Sequence, residues 1–253
     1  MKISVVTAVY NRRETIADAL RSVQAQTYAP VEHVIQDGGS TDGTLEEIAQ
    51  HLRPELSLES ARDGGIYPAI NRGIARSTGE IIGLMHSDDF FAHDKVLEKV
   101  AHAFRDPRVD GVYGDLDYVS YRNPSRILRH WSSGAYEPGK LSRGWMPPHP
   151  TLYLRRAVFE SFGAYDPTFR ISADYDAILR WLVRGQIRLA YIPDVLVKMR
   201  TGGESNKSLE RVLCKSREDL RAIRRNEVGG VGTLMLKNAL KVSQFVTREG
   251  HTG

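Results

Sequence analysis

Apolar positions follow two alternating periods over the first hundred residues. Ile3–Val9 (ISVVTAV) is dense in β-branched residues and reads as a buried strand. From Glu14 to Gln26 the spacing changes, and Ile16, Ala19, Leu20 and Val23 recur at helical i, i+3, i+4, i+7 positions. A second strand over 31–36 runs into the turn DGGSTDG (37–43). Leu45, Ile48, Ala49 and Leu52 form the next helical stripe, with Thr44 and Glu47 as a capping pair. The pattern then predicts a third strand over 56–60, a helix from Tyr67 to Arg76 and a fourth strand over 80–85. Val96, Leu97, Val100 and Phe104 mark the helix that follows.

Strands alternating with helices through short connections imply right-handed crossovers and an α/β fold, a mostly parallel central sheet flanked by helices. Ligands of such sheets bind beyond the carboxyl ends of the strands. That rule gathers Thr7–Asn11, Asp37–Ser40, Arg62–Gly65 and His86–Asp89 around one crevice, and three of those four strand ends carry Asp. The second half is less regular. Residues 111–120 read as strand, RNPS (122–125) as a hairpin turn before RILRHW, and TLYLR (151–155) as strand; WMPPHP (145–150) is too proline-rich for helix or central strand. Ala173–Arg184 predicts a helix with Ile178, Trp181 and Leu182 on one face. No internal repeat or linker interrupts the chain, which reads as one domain over 1–206 with a C-terminal helical appendage over 207–253.

Composition narrows the class. At 253 residues, 41% apolar and 26% charged, the chain is ordinary globular protein, long enough to need no staples. The single cysteine, Cys214, excludes an internal disulfide framework and a thiolate zinc cluster, and fits a reducing compartment. No apolar run reaches a membrane span, and the opening MKISVVTAVYNRR reads as strand rather than signal peptide. The net charge of +4 is matched by residues 207–225 alone, where seven Lys and Arg face three acids, so the basic excess sits at the C-terminal end.

The crevice residues then acquire candidate chemistry, each beside a plainer reading. Asp88 and Asp89 of His86-Ser87-Asp88-Asp89 suit a hard divalent cation, Mg²⁺ or Mn²⁺, that would bridge a diphosphate; on the short local motif alone, capping of the next helix is the favoured reading. Asp37 can accept from a nucleoside or simply fold its own Asp-Gly-Gly-Ser turn. Asp63, followed by Asn71 and Arg72 on a helix opening at the same edge, can face phosphate, or Arg72 can lie on a solvated face. Asp174, at a helix start, reads as a general base or as a cap. His149, stiffened by Pro147, Pro148 and Pro150, reads as an active-site-loop or a structural histidine. The G-x-G-x-x-G fingerprint is absent after the first strand, no G-x-x-x-x-G-K-[ST] loop occurs and no G-x-S-x-G elbow occurs, against NAD-dependent oxidoreductases, P-loop NTPases and α/β-hydrolases respectively.

Taken together, ISVVTAVYNRRETIADALRSVQAQTY, VEHVIQDGGSTDGT, DGGIYPAINRGIARSTGEIIGLMHSDD and ISADYDAILRW resemble family-2 glycosyltransferases of the GT-A fold, nearest to bacterial polysaccharide-assembly members of the colanic-acid and O-antigen type. The resemblance covers about residues 1–206. It implies a nucleotide-sugar donor, UDP by default, a divalent metal and inversion by direct displacement onto a glycan or lipid-linked saccharide. Thr7, Ala8 and Tyr10 match the loop that contacts the base, Asp37 the acid that holds base or ribose, and Asp63, Asn71 and Arg72 the segment beside the diphosphate. Asp88 and Asp89 match the Asp-x-Asp-type element, Asp89 ahead of Asp88 as direct metal ligand. Asp174 matches the second acid of a Glu-Asp pair and is the implied base. Arg200 with Thr201-Gly202-Gly203-Glu204-Ser205-Asn206 resembles a segment that closes over the donor, and Trp145 and His149 are assigned to the acceptor or active-site loop.

Ala8, Ala173 and His86 depart from the family pattern, but no carboxylate the mechanism needs is missing. Beyond Asn206 the resemblance stops. There Met235, Ala239, Val242 and Val246 line one helical face and Lys237, Lys241 and Arg248 another, which suits an anionic inner leaflet or packing on the catalytic domain or a second subunit. The expected location is cytoplasmic, at the inner membrane face where the tail binds lipid; no nucleic-acid partner is expected. A nucleotidyltransferase and a catalytically silent nucleotide-sugar-binding subunit remain as alternatives.

Overall fold

In the computed structural model, which describes residues 1–201 and 209–246 with side chains through 239, the predicted alternation is realised. Strands β1 (Ile3–Val9), β2 (Val31–Asp37), β3 (Leu56–Ser60) and β4 (Ile81–Leu84) pair in parallel, and helices α1 (Ile16–Gln24), α2 (Thr44–Ala49) and α3 (Ile66–Arg76) form the crossovers. Helix α4 is Val96–Ala103, and α6 (Ala173–Val183) follows the short α5 (Arg156–Phe162).

The second half supplies β5 (Phe90–Phe91), β6 (Gly111–Val119), β7 (Ile127–Trp131), β8 (Tyr153–Arg155) and β9 (Leu189–Arg200) to the same nine-stranded sheet. Its order is β3-β2-β1-β4-β8-β6-β9-β5, with β7 beside β6. Strands β5, β7 and β8 run against the other six, so the sheet is mixed but mostly parallel. Helices α7 (Leu209–Arg225) and α8 (Val231–Val246) complete the chain.

Strand periodicity divides the core. Ile3, Val5 and Val9 of β1 face a cluster with Ile16, Leu20 and Val23 of α1 and Val96, Leu97 and Val100 of α4. Val6 faces the other side, with Ile70 and Ile74 of α3 and Ile178, Trp181 and Leu182 of α6. Gly73 is what lets α3 lie this close, since a Cβ there would sit 2.4 Å from Val6 Cγ1. Ala222 and Ile223 of α7 join the same cluster, so α7 shares the core of α3 and α6.

Two local expectations need correction. Helix α2 is short and begins after Gly43 (φ 94°); Thr44 lies inside it and donates its hydroxyl to Asp42 instead of pairing with Glu47, while Ala49 and Leu52 are exposed. Lys237 is only 2% exposed and points into the protein, so the basic helical face expected around it does not form there. Lys241, Val242 and Val246 and the stretch 202–206 fall outside the described side chains, as does Arg248.

Glu32, at the start of β2, ties three segments together. It accepts from Ser4 Oγ (2.5 Å), Thr78 Oγ1 (2.8 Å), Gly79 N (3.0 Å) and the backbone N–H of Thr78, and pairs with Lys2 Nζ (2.6 Å). Burial alone would raise its carboxyl, but Lys2, Ser4 and Thr78 together bring it down to about 2 from 4.5. The depressed value means stabilisation that is full above pH 4.5 and lost as pH falls toward 2. With screening at the exposed Lys2, we expect Glu32→Gln to cost about 1–2 kcal/mol at pH 7. In thermal melts the gap between variant and wild type should close between pH 4.5 and about 2; a pH-independent gap would remove the electrostatic account.

Candidate active site

Register fixes one wall. Val9, Asp37 and Ser60 stand side by side where β1, β2 and β3 end. Asp37 is fully buried and builds its own turn: Oδ2 accepts from Gly39 N and Ser40 N (both 3.0 Å) and from Ser60 Oγ (2.6 Å), and Oδ1 from Ser40 Oγ (2.5 Å). Thr7 is likewise internal, its hydroxyl 2.9 Å from His33 Nε2. Ala8 is half-buried against the core. Tyr10 is different. It is 58% exposed and packs against Gly38, leaving a ring face at the rim.

The second wall is the N-terminal end of α3. Asp63 Oδ1 lies 2.6 Å from Arg72 Nη1, and Arg72 stays half-exposed. Burial raises the Asp63 carboxyl despite the Arg72 charge. Asn71, expected beside it, has both ends of its amide engaged elsewhere, donating to Tyr165 O (2.7 Å) and accepting from Tyr165 N (3.0 Å). It braces the loop before α6.

The loop after β4 carries the paired acids. Asp89 is 1% exposed, its Oδ1 accepts the Arg200 backbone N–H at 3.0 Å, and its buried Oδ2 has no hydrogen-bond partner among the described residues. Burial, then the neighbouring Asp88 charge, pushes its carboxyl well above the usual range. Asp88 is the accessible one, half-buried and without a side-chain hydrogen bond or ion pair among the described residues. The pair thus offers two different carboxylates, a buried Asp89 Oδ2 without a partner among the described residues and a more accessible Asp88. Arg200, nearly buried, donates to Asp88 O (2.8 Å) and to Asp18, and lies over the Phe90 ring, so it is a strut of this loop.

Asp174 joins these walls through a chain of contacts. His86 Nε2 lies 2.9 Å from His149 Nε2, and His149 Nδ1 lies 3.2 Å from Asp174 Oδ2. Tyr67 donates to Ile171 O (2.5 Å) and also reaches Asp174 Oδ1 (3.3 Å). Burial lowers His149 to about 4, so it is neutral at pH 7. An ionised Asp174 then requires the proton on His149 Nδ1, leaving Nε2 to accept from His86 Nε2–H. Burial alone would raise Asp174, but His149, Lys215 and Lys237 together hold it below the usual carboxylate value. A carboxylate kept ionised, with one oxygen on an imidazole and the other on a phenol, is a pre-oriented proton acceptor.

Trp145 belongs to an aromatic group. Its indole N–H donates to Ser133 O (2.9 Å), its ring stacks on Tyr136 and it meets the edge of Tyr113. Sequence reading missed the roles of Tyr67 and His86. Both stood inside motifs already singled out, but their partners His149 and Asp174 lie 63 and 107 residues away, which no local pattern reports.

Hard oxygen donors at Asp88 and Asp89 fit a divalent ion. No group of three or more His, Cys, Asp or Glu that could hold a metal occurs among the described residues, so an ion here would share its coordination with water and a bound diphosphate.

The sequence profile of Glycosyl transferase family 2 matches residues 4–172. A PGL/p-HBAD biosynthesis glycosyltransferase of Mycobacterium tuberculosis is 30% identical over 223 residues, covering 84% of this chain and 82% of that protein. An uncharacterized glycosyltransferase of Nostoc is 30% identical over 222 residues, covering 81% and 66%. Among solved structures, residues 1–349 of S. aureus TarS in complex with UDP-GlcNAc align at TM-score 0.67 and 20% identity, over 90% of this chain and 66% of that one. Against the longer TarS chain, this chain covers 43% of its length. The mannosyltransferase PcManGT of Pyrobaculum calidifontis, in complex with GDP-Man and Mn²⁺, aligns at TM-score 0.66 and 18% identity over 98% and 76%. With the profile spanning well over half of the sequence and the sheet carrying its acids at the strand ends, the chain belongs to glycosyl transferase family 2 and is a glycosyltransferase of the GT-A fold.

Proposed function

We propose that this glycosyltransferase moves a hexose from a nucleotide-sugar, of the UDP type, to a hydroxyl of a glycan or lipid-linked saccharide in surface-polysaccharide assembly, inverting the anomeric centre. The observation that carries this reading is the contact chain His86–His149–Asp174, which brings the paired-acid loop and a single ionised carboxylate into one crevice. The named biosynthetic role of the mycobacterial relative, and the UDP-GlcNAc and GDP-Man bound by the structural neighbours, support the donor class.

In this reading Tyr10 gives its exposed ring to the base, and Asp37 shapes the turn beneath it. Arg72 exchanges part of its pairing with Asp63 for the diphosphate. Asp88 and Asp89 would hold a divalent ion, Mn²⁺ or Mg²⁺, and such an ion would supply positive charge to a departing diphosphate. Asp174 takes the acceptor proton as that oxygen attacks the anomeric carbon and the carbon–oxygen bond to the diphosphate breaks. His149 and Tyr67 hold the carboxylate, and Trp145 lines the acceptor side. Residues 1–206 form the transferase unit and 207–253 its helical appendage.

The appendage also bears on location. Val212 and Leu213 of α7 and Val231, Met235 and Leu236 of α8 are exposed, as are Arg217 and Arg224 of α7, a composition that suits peripheral contact with the inner face of an anionic membrane. No helix among the described residues is long and apolar enough to cross a membrane.

The deciding experiment is a thermal-shift panel of UDP-, GDP-, CDP- and dTDP-sugars, each with Mn²⁺ and with EDTA. A UDP-sugar should raise Tm by several degrees with Mn²⁺ and far less with EDTA. A shift with another nucleotide would correct the donor, and a shift indifferent to EDTA would remove the metal.

A further inference from the structure

The N-terminus of α6, which carries Asp174, has no cap of its own. Its capping residue Ser172 makes no side-chain cap hydrogen bond. Three consecutive backbone N–H groups just before the helix are satisfied from far along the chain by one buried carboxylate, Glu218 of α7. Oε1 accepts from Arg170 N (2.8 Å), and Oε2 accepts from Ile171 N (2.8 Å) and Ser172 N (2.9 Å). The peptide chain at Ile171 is gripped on both sides, because its carbonyl accepts from the Tyr67 hydroxyl that also touches Asp174.

A second tie lies next to the first. Lys237 of α8 is buried over the Tyr175 ring, 3.3 Å from its centroid, and 2.7 Å from Asp219 Oδ2, with Lys215 3.6 Å from Oδ1 of the same acid. Helix α8 reaches this depth because Gly144 carries no Cβ; one there would sit 2.5 Å from Lys237 Cα. The neighbour of Gly144 is Trp145. The two C-terminal helices thus meet the base-carrying helix and the acceptor-side loop together.

We infer that Glu218 is a positioning residue for Asp174, and that α7 and α8 belong to the catalytic apparatus as the frame of its acceptor side. The inference rests on the reading of Asp174 as base. Glu218 touches no reacting atom; it fixes the peptides of 170–172, and through them the direction in which the Asp174 carboxylate meets the attacking oxygen. Small displacements of a base from its line of attack lower turnover without altering donor binding.

The test uses the full chain and water as acceptor, so that no acceptor need be known: water attacks the anomeric carbon, the nucleoside diphosphate leaves with the bonding pair and Asp174 receives the proton. Release of nucleoside diphosphate is followed from UDP-glucose, UDP-GlcNAc and GDP-mannose with Mn²⁺. Glu218→Gln keeps the shape but turns an amide N–H₂ toward backbone donors, and should lower kcat on the order of 10- to 100-fold. Donor KM should stay within about twofold and the exchange of the 170–172 amides should accelerate, while Glu218→Asp should recover part of kcat. A normal kcat in Glu218→Gln beside an inactive Asp174→Asn overturns the inference alone. A normal kcat in both, or no release by the wild-type chain from any of the three donors, overturns the base assignment beneath it. If Glu218→Gln does not fold, hydrogen exchange on the wild-type chain decides: amides 170–172 exchanging as fast as an open loop would mean that the bracket is absent in solution.

Discussion

Asp174→Asn is expected to reduce turnover by about 10³-fold while leaving donor affinity within a factor of two or three. The substitution keeps the volume and the Oδ1 acceptor near Tyr67, but an amide cannot take a proton from the acceptor hydroxyl. His149 does not replace it. Its Nε2 is occupied by His86, and burial holds its basicity at about 4, too weak for the role at neutral pH. Steady-state rates beside calorimetric donor titration separate the two quantities. Turnover near the wild-type rate would remove Asp174 as base; loss of rate and affinity in equal measure would make it a binding residue.

The second large effect separates two adjacent acids. Asp88→Asn should abolish the difference between Mn²⁺ and EDTA in donor binding and lower activity by about 10²-fold or more. Asp89→Asn should keep the metal dependence, because its Oδ1 is committed to the Arg200 N–H and an asparagine oxygen can accept that bond equally well. Should Asp89→Asn lose the metal response and Asp88→Asn retain it, the assignment drawn from burial is the wrong way round.

Most of the donor half was legible along the chain. Buried Ile16, Ala19, Leu20 and Val23 are the residues the helical spacing selected, and β1 to β4 fall within a residue or two of the predicted runs. Parallel strands buried on both faces are dense in β-branched residues, and that signal is local. Strand β9 escaped notice because Pro193 and Asp194 interrupt it and its register with β6 shifts beside them, leaving no clean period. Among site residues, the sequence marked positions but not which atoms remain available. Asn71 and Arg200 carry the expected side chains and use them on internal partners, while Asp89 commits one oxygen to the Arg200 N–H and leaves the other without a partner among the described residues. Glu218 and Lys237 gave no signal, since a charged residue on an amphipathic helix looks the same whether it meets water or a distant turn.

The Arg200 strut has a consequence for the order in which the protein is made. Its bonds to Asp89 and Asp88 span 111 and 112 residues, and its bond to Asp18 spans 182. On the ribosome, the first four strands and their helices emerge with nearly every donor-side motif, yet the loop after β4 waits for the last strand before it is braced. A nascent chain, or a fragment ending ahead of residue 200, therefore carries the acidic motif in full before the contacts that brace it can form.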